Sequence, residues 1–244
     1  MSFKQFYNGY LNEMAYPSNT VKNTVYYHGT GVEHIESILK DGYIKASDIQ
    51  SNEGLTPKIG MSYITPSIEY ACIYAGVHNH IGYKTGEGYV VVIDNNTLKD
   101  VYPDEDVLGD YVRKGVEGDT KYKWLVSLLY DLGGDDVYIE SSEPPLNTDD
   151  EYYDQDMEHW EEYSNTTLYD AINSQQFGWD METHAQVGKF MMDRMDSSDV
   201  LKFIEMSNSH IAHKGKLGIS KIYHITGLLD TFTVDELEKY KRVF

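Results

Sequence analysis

The sequence predicts an α+β protein in which short, separate strands are interspersed with short amphipathic helices. Three observations predict it. The segment "GYVVVID" (residues 88–94) is apolar throughout from Val90 to Ile93, which fits a strand covered on both faces. Residues 32–40 place Val32, Ile35, Ile38 and Leu39 at helical spacing, so a strand period and a helix period occur within one short stretch of chain. The glycine pair Gly86 and Gly88 comes before the strand, where a dinucleotide fingerprint needs its glycines after a strand and opening a helix. The pair therefore marks a turn and not a doubly wound fold.

In chain order, residues 1–24 form an N-terminal extension, a short helix followed by a Pro-Ser-Asn turn. "TVYYH" is the first strand, and it runs through His28-Gly-Thr-Gly into the helix at 32–40, which Asp41-Gly42 ends. "MSYITPS" is a second strand that stops at Pro66, and "SIEYACIYAGVHNH" resumes as a helix with Ala71, Tyr74 and Ala75 on one face. Beyond the strand at 88–94, "YVRKGVEGDTKYKW" (residues 111–124) reads as a solvated loop, or else as a local basic channel. Residues 141–165 combine prolines with a dense acidic and aromatic run, which predicts an exposed acidic insertion, or more sharply a surface for a basic protein partner. Met181, Ala185, Gly188, Met192 and Met195 then follow a helical period and predict a buried helix face. "DSSDVLKFIEMS" is a further helix that Ser197, Ser198 or Asp199 can cap. "SHIAHKGKLG" and "ISKIYHITGL" are two strands joined through glycines. One domain over 1–244 is expected.

Composition narrows the function. With 20 Lys and Arg against 40 Asp and Glu the net charge is -20, which disfavours sequence-independent phosphate binding because that binding needs clustered cations. The single cysteine, Cys72, forms no intrachain disulfide, and no apolar run reaches the roughly 20 residues that span a bilayer. The N-terminus lacks a basic start followed by an apolar stretch. A soluble, cytoplasmic protein with no membrane partner is expected. His78 and His80, even with His28, lack a carboxylate pair to complete a metal set and read as surface histidines. Cys72 sits mid-helix with no evident base, and the chain has no nucleophile elbow. The 22 tyrosines identify no ligand by their number alone.

The order of "YHGT", a helix ending in "KDGYI", then "GMSYITPSIEYACIYA" and "GYVVVID" resembles the ADP-ribosyltransferase superfamily. The likeness is to its histidine-tyrosine branch, which includes diphtheria-toxin-like enzymes and poly(ADP-ribose) polymerases. It covers residues 25 to about 94. The resemblance implies a split antiparallel β-sandwich around an NAD cleft, with NAD as the substrate that donates ADP-ribose to a macromolecular acceptor, protein or nucleic acid. On these positions His28 is implied to hydrogen-bond the adenosine-side ribose, and Gly29 to grip the nicotinamide carboxamide through its backbone. Tyr63 and Tyr74 are implied to flank the nicotinamide ring, with Thr30 and Thr65 as supporting polar groups. Independently of the family, glycosyl transfer from NAD passes through an oxocarbenium-like state, so a site needs aromatic faces for the leaving group and fixed polar contacts to its carboxamide.

The departure lies at the family's third position, a glutamate on a late strand. In that place this chain has "NSHIAHKG", which puts His210 or Ser209 there. Glu182, Glu205 and the strand-borne Glu140 are the alternative carboxylates. The related RNA 2'-phosphotransferases use an arginine-rich site, and this chain offers only Arg113, Arg194 and Arg242. Such an enzyme, or an inactive binding module acting through its acidic surface, is the alternative to ADP-ribosyl transfer.

Overall fold

A computed structural model describes residues 23–46, 60–139, 157, 160–162, 164–174 and 181–244, with the backbone alone for Ser174, Met181 and Glu182. The N-terminal extension, the acidic block at 141–165 and Glu140 fall wholly or largely outside the described residues. The chain divides into two compact units. One takes the described residues up to Pro103 together with Asp196–Phe244, and the other takes Asp104–Met195.

Among the described residues the first unit holds every strand. Its elements are β1 (Tyr27–Thr30), α1 (Val32–Asp41), β2 (Tyr43–Ile44), β3 (Met61–Ile64), α2 (Ile68–Tyr74), β4 (Glu87–Ile93) and β5 (Val101–Pro103). They are joined, after the second unit, by α7 (Ser197–Ser207), β6 (Ile211–Lys214), β7 (Leu217–Thr226), α8 (Val234–Leu237) and β8 (Lys241–Arg242). The strands make two antiparallel sheets, β1-β4-β7-β2 with β8 added against β7, and β3-β6-β5. The mixed α+β class is as the sequence predicts. Val90 and Val91 in β4 are fully buried and Ile93 nearly so, which the run of β-branched residues requires of a central strand covered on both faces.

Several local expectations are corrected. His28, Gly29 and Thr30 are strand residues and not a turn after the strand, because they continue the ladder opposite Val91, Val90 and Tyr89. In α1 only Ile35 and Ile38 are buried, and Gly42, at φ 72°, ends the helix in the left-handed region that suits glycine. The cap of α7 is Asp196, which accepts from the backbone N–H of Ser198 and Asp199, one residue ahead of the expected caps. The strands β6 and β7 adjoin in sequence yet enter different sheets, with the break at Gly215-Lys216, where Gly215 has φ 101°.

The second unit is helical among its described residues, with α3 (Glu105–Val116), α4 (Lys123–Asp131), α5 (Leu168–Ser174) and α6 (Met181–Met192). Gly109 of α3 and Gly188 of α6 let these helices touch backbone to backbone, since a Cβ on either would collide with the carbonyl of His184 or Glu105 respectively. Val187, Met191 and Met192 are buried, so the methionine-rich helix packs in the core as its period predicts, although the buried face runs through Val187 and Met191 and not through Ala185. Of residues 111–124, the first six end α3 and the last two open α4, and only 117–122 form a connecting turn. Two of their cations are engaged locally: Arg113 pairs with Asp110 and Glu117, and Lys114 with Asp110.

Asp104 caps α3, accepting from the N–H groups of Asp106 and Val107. Burial, reinforced by Glu105 and Asp106, pushes its carboxyl up to about 7. A carboxyl whose folded value lies above its unfolded value binds more protons when folded, so this unit loses stability as pH rises from about 4 to about 7. Asp104→Asn keeps a good cap and removes the ionisation. Thermal melts of the variant should show a higher midpoint at pH 8 than the parent and a flatter dependence between pH 5 and 8; an unchanged dependence would place the titration elsewhere.

Candidate functional site

The alternation of β1 sorts its side chains to two faces. Tyr27 joins a core with Ile68, Ala71, Cys72 and Ala75 of α2 and its end, and a Cβ on Gly29 would run into the carbonyl of Ala71. Tyr27 and Gly29 thus face α2, and His28 and Thr30 leave on the other face. Gly88 of β4 meets the Ala75 carbonyl in the same way. The helix lies directly on strand backbone at two glycines, and its contact face is built of small residues for that reason.

This packing corrects the expected face of α2. Ala71 and Ala75 are buried, but Tyr74 is 62% exposed and points away from them, since a tyrosine has no room against the glycine-bearing strands. Tyr70, four residues earlier, is also exposed, so the two rings share an outward face.

The two sheets touch at one place and part at the next. Tyr27 and Thr65 exchange both backbone hydrogen bonds, at 2.8 and 2.9 Å, as an isolated bridge. Continued antiparallel pairing would set Gly29 against Tyr63 with a further pair of bonds. It does not continue. The Tyr63 carbonyl instead lies 2.9 Å from Nδ1 of His28. The backbone of Tyr26 is bonded toward β4, with its carbonyl accepting from Ile93, so residues 27 and 29 direct their N–H and C=O the opposite way, to the edge where β3 has diverged. Among the described residues no backbone group meets Gly29 on that edge.

A carbonyl only accepts, so the His28 contact places the proton on Nδ1 and the lone pair on Nε2. Burial lowers the pKa of His28, with His34 nearby acting in the same sense and the Tyr63 bond opposing, so the ring is neutral at pH 7. The imidazole therefore spans the divergence of the sheets with one nitrogen fixed and the other an acceptor. Thr65, 3% exposed, accepts from the Ser67 N–H at 3.1 Å, and Ser67 in turn caps α2. Its hydroxyl turns the chain from β3 into the tyrosine-bearing helix. Thr30 is buried at the end of β1, opposite Tyr89.

His210 stands at the head of β6. Asn208, at φ 47°, ends α7 and reverses the chain within two residues. Ile211 pairs with Ile64 and Ala212 with Tyr63, so alternation gives His210 the face of β6 that Ala212 shares with Tyr63. Its ring stands edge-on to Tyr70, with centroids 4.5 Å apart, and to Tyr74 at 6.3 Å. Burial lowers its pKa. Of the carboxylates, Glu205 is exposed on α7 and Glu182 belongs to α6 of the helical unit. Glu140 is outside the described residues. The first unit thus gathers His28, Gly29, Tyr63, Thr65, Tyr74 and His210, and adds Tyr70, which the sequence reading missed although its spacing of four from Tyr74 on a helix was visible.

Other chemistries find little support. Cys72 is fully buried, and burial together with Glu69 pushes its thiol up to about 12, far from a nucleophile's range. His78 is not a surface residue: it is 2% exposed, its ring stacks on Phe232, and Nδ1 accepts from the N–H groups of His80 and Ile81. Among the described residues no group of three or more His, Cys, Asp or Glu is placed to hold a metal ion, and no helix is long and apolar enough to cross a membrane. A cavity of about 200 Å³ in the helical unit, lined by Tyr138, Lys189, Phe190 and Arg194 among others, contains none of the expected site residues. Arg194 there lies over the Phe190 ring and donates to the Phe190 carbonyl.

No family model, curated protein or solved structure matches the chain significantly.

Proposed function

We propose that the chain transfers ADP-ribose from NAD to a macromolecular acceptor and releases nicotinamide, with the leaving group held where β1 and β3 diverge. The observation that carries this is the pair of Gly29 backbone groups on the diverging edge. A donor and an acceptor of one residue match a primary carboxamide as they would match a neighbouring strand: the amide oxygen accepts from the N–H and the amide NH₂ donates to the C=O. Tyr63, on the strand that has turned aside, and Tyr74, an exposed ring on the helix behind, flank the flat heterocycle in this reading. Nε2 of the neutral His28 can accept from a ribose hydroxyl. A hydrogen-bonded carboxamide and a fixed ribose orient the glycosidic bond for cleavage, and the positively charged pyridinium leaves as neutral nicotinamide.

The phosphotransferase alternative is less well supplied. Arg113 is bound to two carboxylates, Arg194 lies against Phe190, and Arg242 donates to the Phe244 carbonyl. No basic cluster in these contacts suits a phosphate.

Incubation with NAD labelled in the adenylate part and a cell extract should give labelled macromolecule and free nicotinamide. In His28→Ala the release should fall at least tenfold, about 1.4 kcal/mol in transition-state terms. The melting midpoint should change only by the loss of one hydrogen bond, about 1 kcal/mol. Full activity in folded His28→Ala would remove the histidine from the site, and absence of both label and nicotinamide in the parent would favour a binding module.

A further inference from the structure

The charge of -20 belongs to the chain as a whole, and one edge of the strand-bearing unit reverses it. Among the described residues β2 is the outer strand of its sheet, with Tyr43 opposite Gly218 and Ile44 opposite Leu217 of β7. One step further along the same register Lys45 stands opposite Lys216. Lys40 lies in the last turn of α1, and Lys214 ends β6 just before the break at Gly215. Residues 40–45 and 214–216 thus carry four lysines, all exposed, against the one carboxylate of Asp41.

The Lys216 ammonium lies 4.3 Å from the centre of the Tyr43 ring and that of Lys45 5.8 Å, so two like charges share one ring. Lys45 also binds Asp41, and this bond holds the carboxyl below its ordinary value, with Lys40 and Lys216 acting in the same sense. One carboxylate therefore serves three ammonium groups. Lys40, Lys214 and Lys216 have no ion pair among the described residues, whereas Lys221 and Lys239 of the same unit are paired with Glu238 and Glu236. Like charges directly across a strand pair cost stability, and an anion laid over them removes that cost.

We propose that this edge is a docking surface for the phosphate backbone of a single-stranded nucleic acid. The inference stands apart from the NAD assignment. Composition argues against phosphate binding only where cations are not clustered, and here they are. The surface is open: a Cβ on Gly42 or Gly215 would meet nothing within 4 Å, so a chain-like partner can lie flat across it. All four cations are lysines, which meet phosphates as point charges, whereas planar carboxylates favour the fork of arginine. A nucleic-acid strand carries a charge about every 3.4 Å of axis, while an extended acidic peptide presents one on a given face at best about every 6.8 Å. The denser anion is the one that four lysines can hold against the repulsion of an acidic chain. A duplex is stiff over about 150 base pairs and carries its further phosphates out over the rest of that chain, whereas a single strand bends away.

The test measures, with the full chain, the fluorescence anisotropy of a labelled oligothymidylate of about 12 nucleotides, within the span that one small surface covers. Affinity should fall with salt at a log–log slope of about -3, since each neutralised phosphate of a single strand contributes about -0.7. Lys45→Gln, Lys214→Gln and Lys216→Gln should each flatten the slope by about 0.7 and weaken binding about fivefold at low salt, the worth of one close charge pair in water. Asp41→Asn, which removes the only carboxylate of the patch, should tighten binding. Lys239→Gln should change neither slope nor affinity, and melting midpoints should show that every variant is folded. Absence of binding at low salt overturns the proposal, as does parental affinity in Lys45→Gln and Lys216→Gln or a loss of equal size in Lys239→Gln. A polyglutamate peptide of equal charge that binds as tightly overturns the phosphate, and a duplex of the same length that binds more tightly overturns the single strand. Anionic phospholipid vesicles that displace the strand overturn the nucleic acid as partner.

Discussion

Gly29→Ala is expected to unfold the strand-bearing unit, the largest effect of any single methyl group in the site. The added Cβ would be directed at the Ala71 carbonyl, with the backbone of Ala75 also within reach. Neither is a side chain that can rotate aside. Overpacking against movable neighbours costs about 1–3 kcal/mol, so a collision with helix backbone should cost about 3 kcal/mol or more. That is a large part of the roughly 5–15 kcal/mol that holds a domain together. Gly88→Ala directs its methyl at the Ala75 carbonyl and should behave alike. Chemical denaturation followed by circular dichroism measures both; a Gly29→Ala protein with the parental midpoint would mean that α2 does not rest on β1. Loss of activity in this variant says nothing about carboxamide binding unless the folded fraction is measured with it.

Tyr63→Ala and Tyr74→Ala should each lower NAD turnover at least tenfold. Stacking of a flat heterocycle on an aromatic ring is worth about 1–3 kcal/mol per ring, and about 1.4 kcal/mol is a factor of ten. The two variants should differ in stability. Tyr74 is largely exposed, so its loss should leave the melting midpoint nearly unchanged, whereas Tyr63 is half-buried on β3 and its removal should lower the midpoint. Phenylalanine at either position retains the ring and should retain most of the activity. If every fall in turnover is matched by a fall in folded protein, the two rings hold no ligand.

Much of the strand-bearing unit was legible because its signals are local. The β-branched run of β4, the helix of residues 32–41 ending at Gly42 and the Pro66-Ser67 entry to α2 each depend on neighbours within a few residues. What failed depended on partners far along the chain. His-Gly-Thr looks like a turn until β4 supplies its ladder some sixty residues later. Spacing sets Tyr74 on one face with Ala71 and Ala75, yet the width available beside those alanines is set by Gly29 and Gly88. His78 reads as a surface residue until Phe232 covers it from the end of the chain. Adjacent strands usually pair, so nothing local reveals that β6 and β7 part into separate sheets. For the candidate site, the family resemblance is what implies His28, Gly29, Tyr63 and Tyr74, whereas the divergence of β1 from β3 and the seat of Tyr70 against His210 exist only in the folded chain.

The central claim is that the Gly29 backbone binds the nicotinamide carboxamide, and the Gly29 amide proton reports on it directly. In a chain labelled with ¹⁵N at glycine, the Gly29 cross-peak should move downfield and saturably on titration with NAD, because its N–H exchanges water for an amide oxygen. The same peak should move with nicotinamide alone and stay in place with adenosine monophosphate. A Gly29 resonance that does not move at saturating NAD, in a protein whose other amides show that NAD has bound, would contradict the claim.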